Sequence, residues 1–272
     1  MTLRSIPNDL DPEVVGAIDA FLDRVVEDHR VSIPLAVESG SRAWGFPSPD
    51  SDYDCRFVFV RPLTQHISLR PRRDVIELAP DPVFDVNGWD LAKALRLLLK
   101  GNAVIIEWLQ SPIAYRGERW FRDAFLELAG RVASREAIAR HYLHLGERQR
   151  RVHLTDGKVF AQKKVFYALR PAAALRWMRL HPHEMLPPMH FPTLMEVCEL
   201  PPQLRAEVDD LMRRKAVTHE LGKAPLSSAV AGFIDSEFEI ARTSSVGERS
   251  PASEEAAALA EDFYRSVVQR TD

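Results

Sequence analysis

The spacing of apolar residues changes several times along the chain, and each change predicts a different element. After Asp11-Pro12-Glu13, a typical helix start, apolar residues recur at helical spacing and predict a first helix with one apolar face. Short runs rich in β-forming residues, bounded by glycine or proline, then predict strands. We expect these strands over residues 33–37, 56–60, 75–78 and 83–86, the last two separated by a Pro-Asp-Pro turn.

From residue 91 onward the apolar period is that of helices. The pattern predicts a helix over 91–99, ended by Gly101, and a shorter helix that Asn102 caps. Ser134 is placed to cap a long helix. The remaining expected elements are helices over about 158–180 and 204–218, a proline-rich loop over 181–192, a polar linker over 243–253 and a final amphipathic helix.

This order of elements predicts an α+β fold in two parts. Strands and helices over the first part suit a small mixed β-sheet flanked by helices, and the second part is α-helical. We therefore expect one domain over residues 1–118 and a helical domain over residues 119–272.

Composition adds limits on the class of protein. The chain is 46% hydrophobic and 28% charged, which is typical of a globular protein with a sizeable core. It contains no apolar run near the roughly 20 residues that a membrane span needs, and its N-terminus lacks the apolar core of a secretory signal. Only two cysteines occur, so we expect a reducing cytoplasmic location and no disulfide framework.

Charge is distributed unevenly along the chain. The net charge is −3, yet residues 140–179 contain ten lysines and arginines against Glu147 and Asp156. Such a basic segment indicates either a local site for a polyanion or a set of solvated helix faces. Charge alone does not separate these two interpretations.

One short stretch has the residues needed for metal-dependent chemistry. Gly40-Ser41 ends a predicted strand, and Asp52 and Asp54 follow at a spacing that puts both carboxylates on one face of a strand. Paired carboxylates suit Mg²⁺, and a glycine–serine turn can bind phosphate oxygens. A third carboxylate is expected from a neighbouring strand: Asp85 fits that place, and Glu77 is the alternative if the strand register differs.

The pattern of Gly-Ser, about ten residues, Asp-x-Asp and a later strand aspartate resembles the DNA polymerase β nucleotidyltransferase superfamily. Over roughly residues 30–240 the chain is most similar to the RNA-repair-associated polymerase-β-like (RlaP) family of nucleotidyltransferases. Ala103 departs from the family pattern, which has proline after the asparagine. The matching blocks are Glu38 to Arg56, Asp85 with Lys93, Leu98 to Leu109, Lys163 to Pro171 and Arg176 to Met178.

The resemblance implies a polymerase-β-type catalytic core with a helical domain that completes the cleft for nucleotide and acceptor. It also implies a reaction. A nucleoside triphosphate (NTP) binds with its phosphates on Gly40 and Ser41, and two Mg²⁺ or Mn²⁺ ions bind Asp52, Asp54 and Asp85. Attack of an acceptor hydroxyl on the α-phosphorus then releases pyrophosphate.

Further nucleotide contacts are expected from basic residues. Arg42 follows the phosphate turn, where it either touches the triphosphate or forms an outward salt bridge. Lys163, Tyr167 and Arg170 share one helical face in the predicted second helix of the helical domain. The resemblance implies that this face holds triphosphate oxygens and stacks a base; the alternative is a core tyrosine beside solvated cations.

The acceptor is the least determined part of the prediction. The family association and the basic middle segment favour an RNA end, such as that of a tRNA. Two alternatives stay open: nucleotidylation of a protein or small-molecule hydroxyl, and a module that binds nucleotide or RNA without turnover. The sequence leaves the choice of NTP, the number of nucleotides added and the oligomeric state undetermined.

Overall fold

The computed structural model describes residues 1–70, 72–79, 81–154, 159–218, 222–244 and 252–271. Its first part alternates helices and strands. In chain order these are α1 (Pro12–His29), β1 (Ser32–Ser39), α2 (Gly40–Ala43), β2 (Tyr53–Val60), α3 (Leu63–His66), β3 (Val75–Glu77), β4 (Phe84–Asp90), α4 (Leu91–Leu99), α5 (Ala103–Gln110), β5 (Ala114–Gly117) and α6 (Arg119–Val132).

The second part consists mainly of helices. A single two-stranded pairing, β6 with β7, accompanies them in the described residues. The elements are α7 (Arg135–His153), β6 (Phe160–Ala161), a 3₁₀ turn (Gln162–Lys164), α8 (Val165–Leu180), α9 (Phe191–Glu196), α10 (Pro202–Val217), β7 (Lys223–Ala224), α11 (Ser228–Ser244) and α12 (Glu254–Thr271).

Five strands form one mixed sheet in the order β3-β4-β2-β1-β5. β2 pairs with β4 in parallel, and the other neighbouring strands are antiparallel. The α+β fold and the mixed sheet expected from the sequence are confirmed. β5 was not predicted, because Ala-Tyr-Arg-Gly lacks the run of β-forming residues that marked the other strands.

One hydrophobic core of this sheet lies on the side of α1. Asp11 caps α1 by accepting from the Glu13 N–H, as its sequence predicts. The buried face of α1 carries Ile18, Leu22 and Val25, and it packs with the alternate residues Cys55, Phe57 and Phe59 of β2. The intervening residues of β2 point to the opposite face of the sheet. That alternation places the polar side chains at the start of β2, Asp54 and Arg56, on the face opposite α1.

The chain forms two compact units, and their bounds differ from the expected division at residue 118. We call them the sheet unit and the helical unit. The sheet unit consists of Met1–Ala43, Asp52–Ala133 and α12, and the helical unit consists of Trp44–Ser51 and the residues from Ser134 through α11.

α12 belongs to the sheet unit because it packs on α6 through aromatic contacts. The Phe263 ring lies 5.9 Å from the Phe121 ring and 5.1 Å from the Phe125 ring, centroid to centroid. The Tyr264 hydroxyl lies 2.9 Å from Nδ1 of His66. Sequence position alone placed this helix in the second domain, because an amphipathic pattern shows that a helix packs but not on what.

The loop Trp44–Ser51, between the glycine–serine turn and Asp52, packs within the helical unit. The Phe46 ring stacks on Phe166 at 4.6 Å, and the buried Lys215 ammonium donates to the Phe46 carbonyl at 2.6 Å. The Phe191 N–H donates to the Trp44 carbonyl at 2.8 Å. The loop Trp44–Ser51 is therefore held through contacts of Trp44 and Phe46.

Several predicted bounds need correction. The helix expected from about residue 158 begins at Val165, after β6 and a 3₁₀ turn, and the predicted proline-rich loop overlaps the first two residues of α9, Phe191 and Pro192. Pro192 lies in the first turn of α9, where proline favours the start of a helix and does not interrupt it. Three parts of the predictions lie outside the described residues: Lys158, Pro80 of the predicted turn, and residues 245–251 of the predicted linker. Among the described helices, none combines the length and the apolar character of a membrane span.

We expect Phe263→Ala to lower the free energy of unfolding by about 2 kcal/mol, because the substitution removes a partly buried ring from the contact between α12 and α6. Urea denaturation measures the change. Asp262→Ala, on the exposed side of the same helix, is the control and should change stability by less than about 0.5 kcal/mol. Equal effects of the two substitutions would contradict the packing of α12 on α6.

Candidate active site

Asp54 and Asp85 are direct neighbours on the two parallel strands. The register pairs Asp54 of β2 with Asp85 of β4, and it pairs the following residues, Cys55 and Val86, in the same way. Cys55 and Val86 are buried in the core on the α1 side. Alternation therefore turns the two aspartates to the opposite face, at one end of both strands.

One arginine connects the two carboxylates. Nη2 of Arg56 lies 2.9 Å from Oδ1 of Asp54 and 2.6 Å from Oδ2 of Asp85, so these two oxygens cannot be farther apart than the sum of those distances. Nη1 of Arg56 donates to the Asp85 carbonyl at 2.6 Å and to the Cys55 carbonyl at 3.2 Å. The guanidinium thus neutralises charge on both aspartates and fastens the ends of both strands.

The glycine–serine turn closes against Asp54. Gly40 has φ of 65°, a left-handed conformation that favours glycine, and a Cβ atom there would lie 1.9 Å from Oδ2 of Asp54. Both facts exclude a larger side chain at this position. The turn and the carboxylate are therefore in contact, as the sequence pattern predicts.

A buried glutamate supports the backbone of the site. Glu38 of β1 is completely buried; its Oε1 accepts from the Asp54 N–H at 2.9 Å, and its Oε2 accepts from the Tyr115 hydroxyl at 2.5 Å. Burial raises the pKa of Glu38 to about 8, against an ordinary value of 4.5. Glu38 thus fixes the first residues of β2 from the neighbouring strand.

Asp54 titrates in an unusual environment. Burial is the main cause that raises its pKa to about 6; Arg56 lowers the pKa, while Asp52 and Asp85 raise it. Asp52 and Asp85 are therefore both close enough to Asp54 to raise its pKa.

Asp52 lies one residue before β2 and is exposed. Nε of Arg42 donates to the Asp52 carbonyl at 3.2 Å, and the Arg42 guanidinium stacks 3.8 Å from the Tyr53 ring centroid. Arg42 therefore orders the backbone that presents Asp52, a role that the sequence did not suggest.

The strand register distinguishes the two candidates for the third carboxylate, Asp85 and Glu77. Glu77 of β3 pairs with Asn87 of β4 and forms a salt bridge with Arg73 at 2.5 Å, whereas Asp85 shares Arg56 with Asp54. This geometry favours Asp85 over the alternative Glu77 as the partner of Asp54.

Carboxylate oxygens are suitable ligands for Mg²⁺ or Mn²⁺. Two of the predicted donors, Asp54 and Asp85, already share a cationic group, so the donor set fits a divalent ion. No cluster of three or more potential ligands in the described ranges is arranged to hold one as the side chains stand. The Arg56 guanidinium contacts both of these aspartates.

The expected nucleotide contacts in the helical unit do not all lie on one face of α8. Lys163 precedes α8 in the 3₁₀ turn, and it is Lys164 whose Nζ lies 5.0 Å from the Tyr167 ring centroid. Arg170 is buried, with its guanidinium 4.1 Å from the Trp44 ring. A role of Lys163, Tyr167 and Arg170 in nucleotide binding stays a prediction.

Part of the basic segment is paired within the helical unit. Arg150 binds Asp235 at 3.0 Å, and Arg176 and Arg179 each lie 2.9 Å from the buried Glu237. Both acids belong to α11, far away in sequence, so a count along the chain did not include them. Local charge therefore overstated the positive charge available for a polyanion.

Two residues of the site were missed in the sequence. Arg56 shares the strand face of Asp54 at a spacing of two, and the same alternation that linked Asp52 to Asp54 would have identified it. Glu38 had a weaker signal, a glutamate at the end of an otherwise apolar strand.

The mixed sheet is that expected of the polymerase-β-type class, and it carries two aspartates on adjacent strands beside a glycine–serine turn. Sequence comparison identifies the family. The profile of RlaP, the RNA repair pathway DNA polymerase beta family, matches residues 15–266, and the chain belongs to this family. It is also similar to the Bacillus subtilis (strain 168) protein named "Uncharacterized protein YcgL", with 38% identity over 218 residues, which cover 80% of this chain and 83% of that protein.

We expect Gly40→Ala to lower the free energy of unfolding by about 1–2 kcal/mol, because alanine is strained at positive φ and its Cβ displaces the Asp54 carboxylate. Urea denaturation measures the loss. Gly16→Ala in α1 is the matched control: no atom lies within 4 Å of its Cβ, so it should stabilise the protein by about 0.5–1 kcal/mol. A neutral Gly40→Ala variant would contradict the close approach of the turn to Asp54.

A second prediction concerns Glu38 in metal-free protein. The raised pKa means that the folded state holds the Glu38 proton more tightly, so stability from this group is present below pH 4.5 and is lost as the pH rises towards about 8. The slope is at most about 1.4 kcal/mol per pH unit. Glu38→Gln can keep both hydrogen bonds without titrating, so we expect it to reduce the pH dependence of unfolding.

Urea denaturation at several pH values between 5 and 8, with a chelator present, measures this slope. Glu77→Gln removes an exposed glutamate from the same unit and should leave the slope unchanged. If Glu38→Gln and the parent protein show the same slope, Glu38 is not a buried titrating group.

Proposed function

We propose that this protein transfers a nucleoside monophosphate from an NTP to an acceptor hydroxyl and releases pyrophosphate. The observation that carries the proposal is the pairing of Asp54 with Asp85 on parallel strands, beside a turn that Gly40 brings against Asp54. Membership of a DNA polymerase beta family supports the same reaction class. The reaction is metal-dependent in this proposal.

Asp52, Asp54 and Asp85 are the proposed ligands for two Mg²⁺ or Mn²⁺ ions. When bound, such ions neutralise phosphate charge and stabilise the attacking and leaving oxygens of a phosphoryl transfer. Glu38 and Arg42 hold the backbone that presents these carboxylates: Glu38 binds the Asp54 N–H, and Arg42 binds the Asp52 carbonyl.

Gly40 and Ser41 are the proposed contacts of the triphosphate. The absence of a side chain at Gly40 allows phosphate oxygens to approach the backbone of the turn beside Asp54. The Ser41 hydroxyl adds a hydrogen-bonding group at the same turn. These residues orient the triphosphate, and positioning is the main protein contribution to reactions of this type.

The chemical step is an in-line displacement at the α-phosphorus. The acceptor oxygen forms a new bond to phosphorus while the bond from phosphorus to the oxygen of the β-phosphate breaks, and pyrophosphate leaves with that electron pair. Asp85, whose side chain is 57% exposed, orients the acceptor hydroxyl and accepts its proton.

We propose an RNA end, such as a tRNA terminus, as the acceptor. The family description names an RNA repair pathway, and that description is the main support. Nucleotidylation of a protein or small-molecule hydroxyl uses the same chemistry and is the principal alternative.

The test is incubation with each labelled NTP, Mg²⁺ or Mn²⁺ and a tRNA pool, followed by detection of label on RNA and on protein. We expect label on RNA. Label on protein alone would replace the acceptor with a protein side chain, and binding of NTP without pyrophosphate release would indicate a module without turnover.

Substitutions locate the activity. Asp54→Asn or Asp85→Asn should reduce transfer at least about 100-fold, the scale for loss of a group that stabilises the transition state. Asp50→Asn makes the same charge change two residues before Asp52, in the loop of the helical unit, and should retain activity within a few-fold. Activity that survives Asp54→Asn would refute the assignment of the site.

A further inference from the structure

Arg56 forms salt bridges with both Asp54 and Asp85, two carboxylates of the proposed metal site. A single nitrogen, Nη2, contacts Asp54 at 2.9 Å and Asp85 at 2.6 Å, so one positive group is shared by both acids. These two oxygens face each other across adjacent strands. Two like charges at this separation repel, and the shared guanidinium offsets that repulsion.

The contacts of Arg56 are directed at the strand ends rather than at the core. Nη1 is held by the Asp85 and Cys55 carbonyls at 2.6 and 3.2 Å. Arg56 is 17% exposed and Asp85 is 57% exposed, so the ion pair is open to solvent on the side of Asp85. A dissolved cation can therefore reach the same carboxylate oxygens that the guanidinium uses.

A guanidinium and a divalent cation cannot both occupy the space between these two oxygens. Both are positive, and both need the lone pairs that the carboxylates direct into that space. Binding of a cation through Oδ1 of Asp54 and Oδ2 of Asp85 together therefore requires Arg56 to leave at least one of its two ion pairs.

We propose that Arg56 is the built-in counter-ion of the metal-free site and competes with the divalent cation for Asp54 and Asp85. This inference rests on the proposed function, which assigns the two aspartates to the metal. Arg56 keeps the two carboxylates aligned and neutralised until the metal arrives, and it makes binding of the metal alone weak.

The competition has a consequence for the order of binding. Arginine forms bidentate contacts with phosphate, so a bound triphosphate gives the displaced guanidinium a new anionic partner. Metal should therefore bind more readily together with nucleotide than by itself. In this scheme Arg56 is a positioning residue, because it acts on the metal ligands rather than on the reacting atoms.

The experiment measures Mn²⁺ binding to metal-free protein by titration calorimetry and by the electron paramagnetic resonance signal of free Mn²⁺. In the absence of nucleotide, Arg56→Gln should bind Mn²⁺ at least about tenfold more tightly than the parent protein. Arg56→Lys retains the charge without the planar guanidinium, and its Mn²⁺ affinity should lie between those of the parent protein and Arg56→Gln.

Two controls separate competition from a general change of charge. Arg73→Gln removes an equal charge from the salt bridge with Glu77 in the same unit and should change Mn²⁺ affinity no more than about twofold. The double variant Asp54→Asn/Arg56→Gln should lose the gain in affinity. Thermal unfolding with and without Mn²⁺ checks the fold: Mn²⁺ should raise the melting temperature of Arg56→Gln more than that of the parent.

The outcomes distinguish the two proposals. Equal or weaker Mn²⁺ binding by Arg56→Gln, with binding by the parent intact, would overturn the competition while leaving the metal site standing. Absence of Mn²⁺ binding in the parent and in Arg56→Gln, with and without NTP, would overturn the metal site and the inference together. A gain that Arg73→Gln reproduces would reduce the effect to general electrostatics and would also overturn the inference.

Discussion

The parallel register of β2 and β4 is the constraint on which the candidate site depends. Cys55 and Val86 follow Asp54 and Asp85 on the two strands and lie in the core beneath α1. A shift of one strand by a single residue would turn an aspartate into that core and expose an apolar side chain. Hydrophobic packing on one face therefore holds two repelling carboxylates side by side on the other.

The neighbouring strand β1 carries an acid that solvent does not reach. Glu38 lies on β1, opposite Cys55, and is buried between the Asp54 N–H and the Tyr115 hydroxyl. An ionised glutamate there would add charge beside Asp54, and the raised pKa of Glu38 shows that burial opposes ionisation. The site thus places negative charge where solvent or a cation can meet it and keeps the interior acid largely neutral.

Local patterns predicted the elements that build the site, because alternation and glycine spacing are properties of short segments. They placed Asp54 and Asp85 on strands of one sheet, whereas Asp52, expected on the same strand face, lies one residue before β2. They failed where the answer depends on contacts distant in sequence. α12 packs on α6, and Asp235 and Glu237 of α11 pair with arginines counted as available for a polyanion. Neither contact has a signature in the residues around it.

The choice of arginine at position 56 has a physical consequence for control of the site. Lysine or histidine in the same place could lose a proton, and a change of pH would then release the carboxylates. A guanidinium remains charged throughout the physiological range, so pH acts on these ion pairs through the carboxylates, above all through Asp54, whose pKa burial raises to about 6. In the proposed scheme a divalent cation competes for the acids, and a triphosphate competes for the guanidinium. In that scheme the state of the site depends on which ions are present and on the protonation of Asp54.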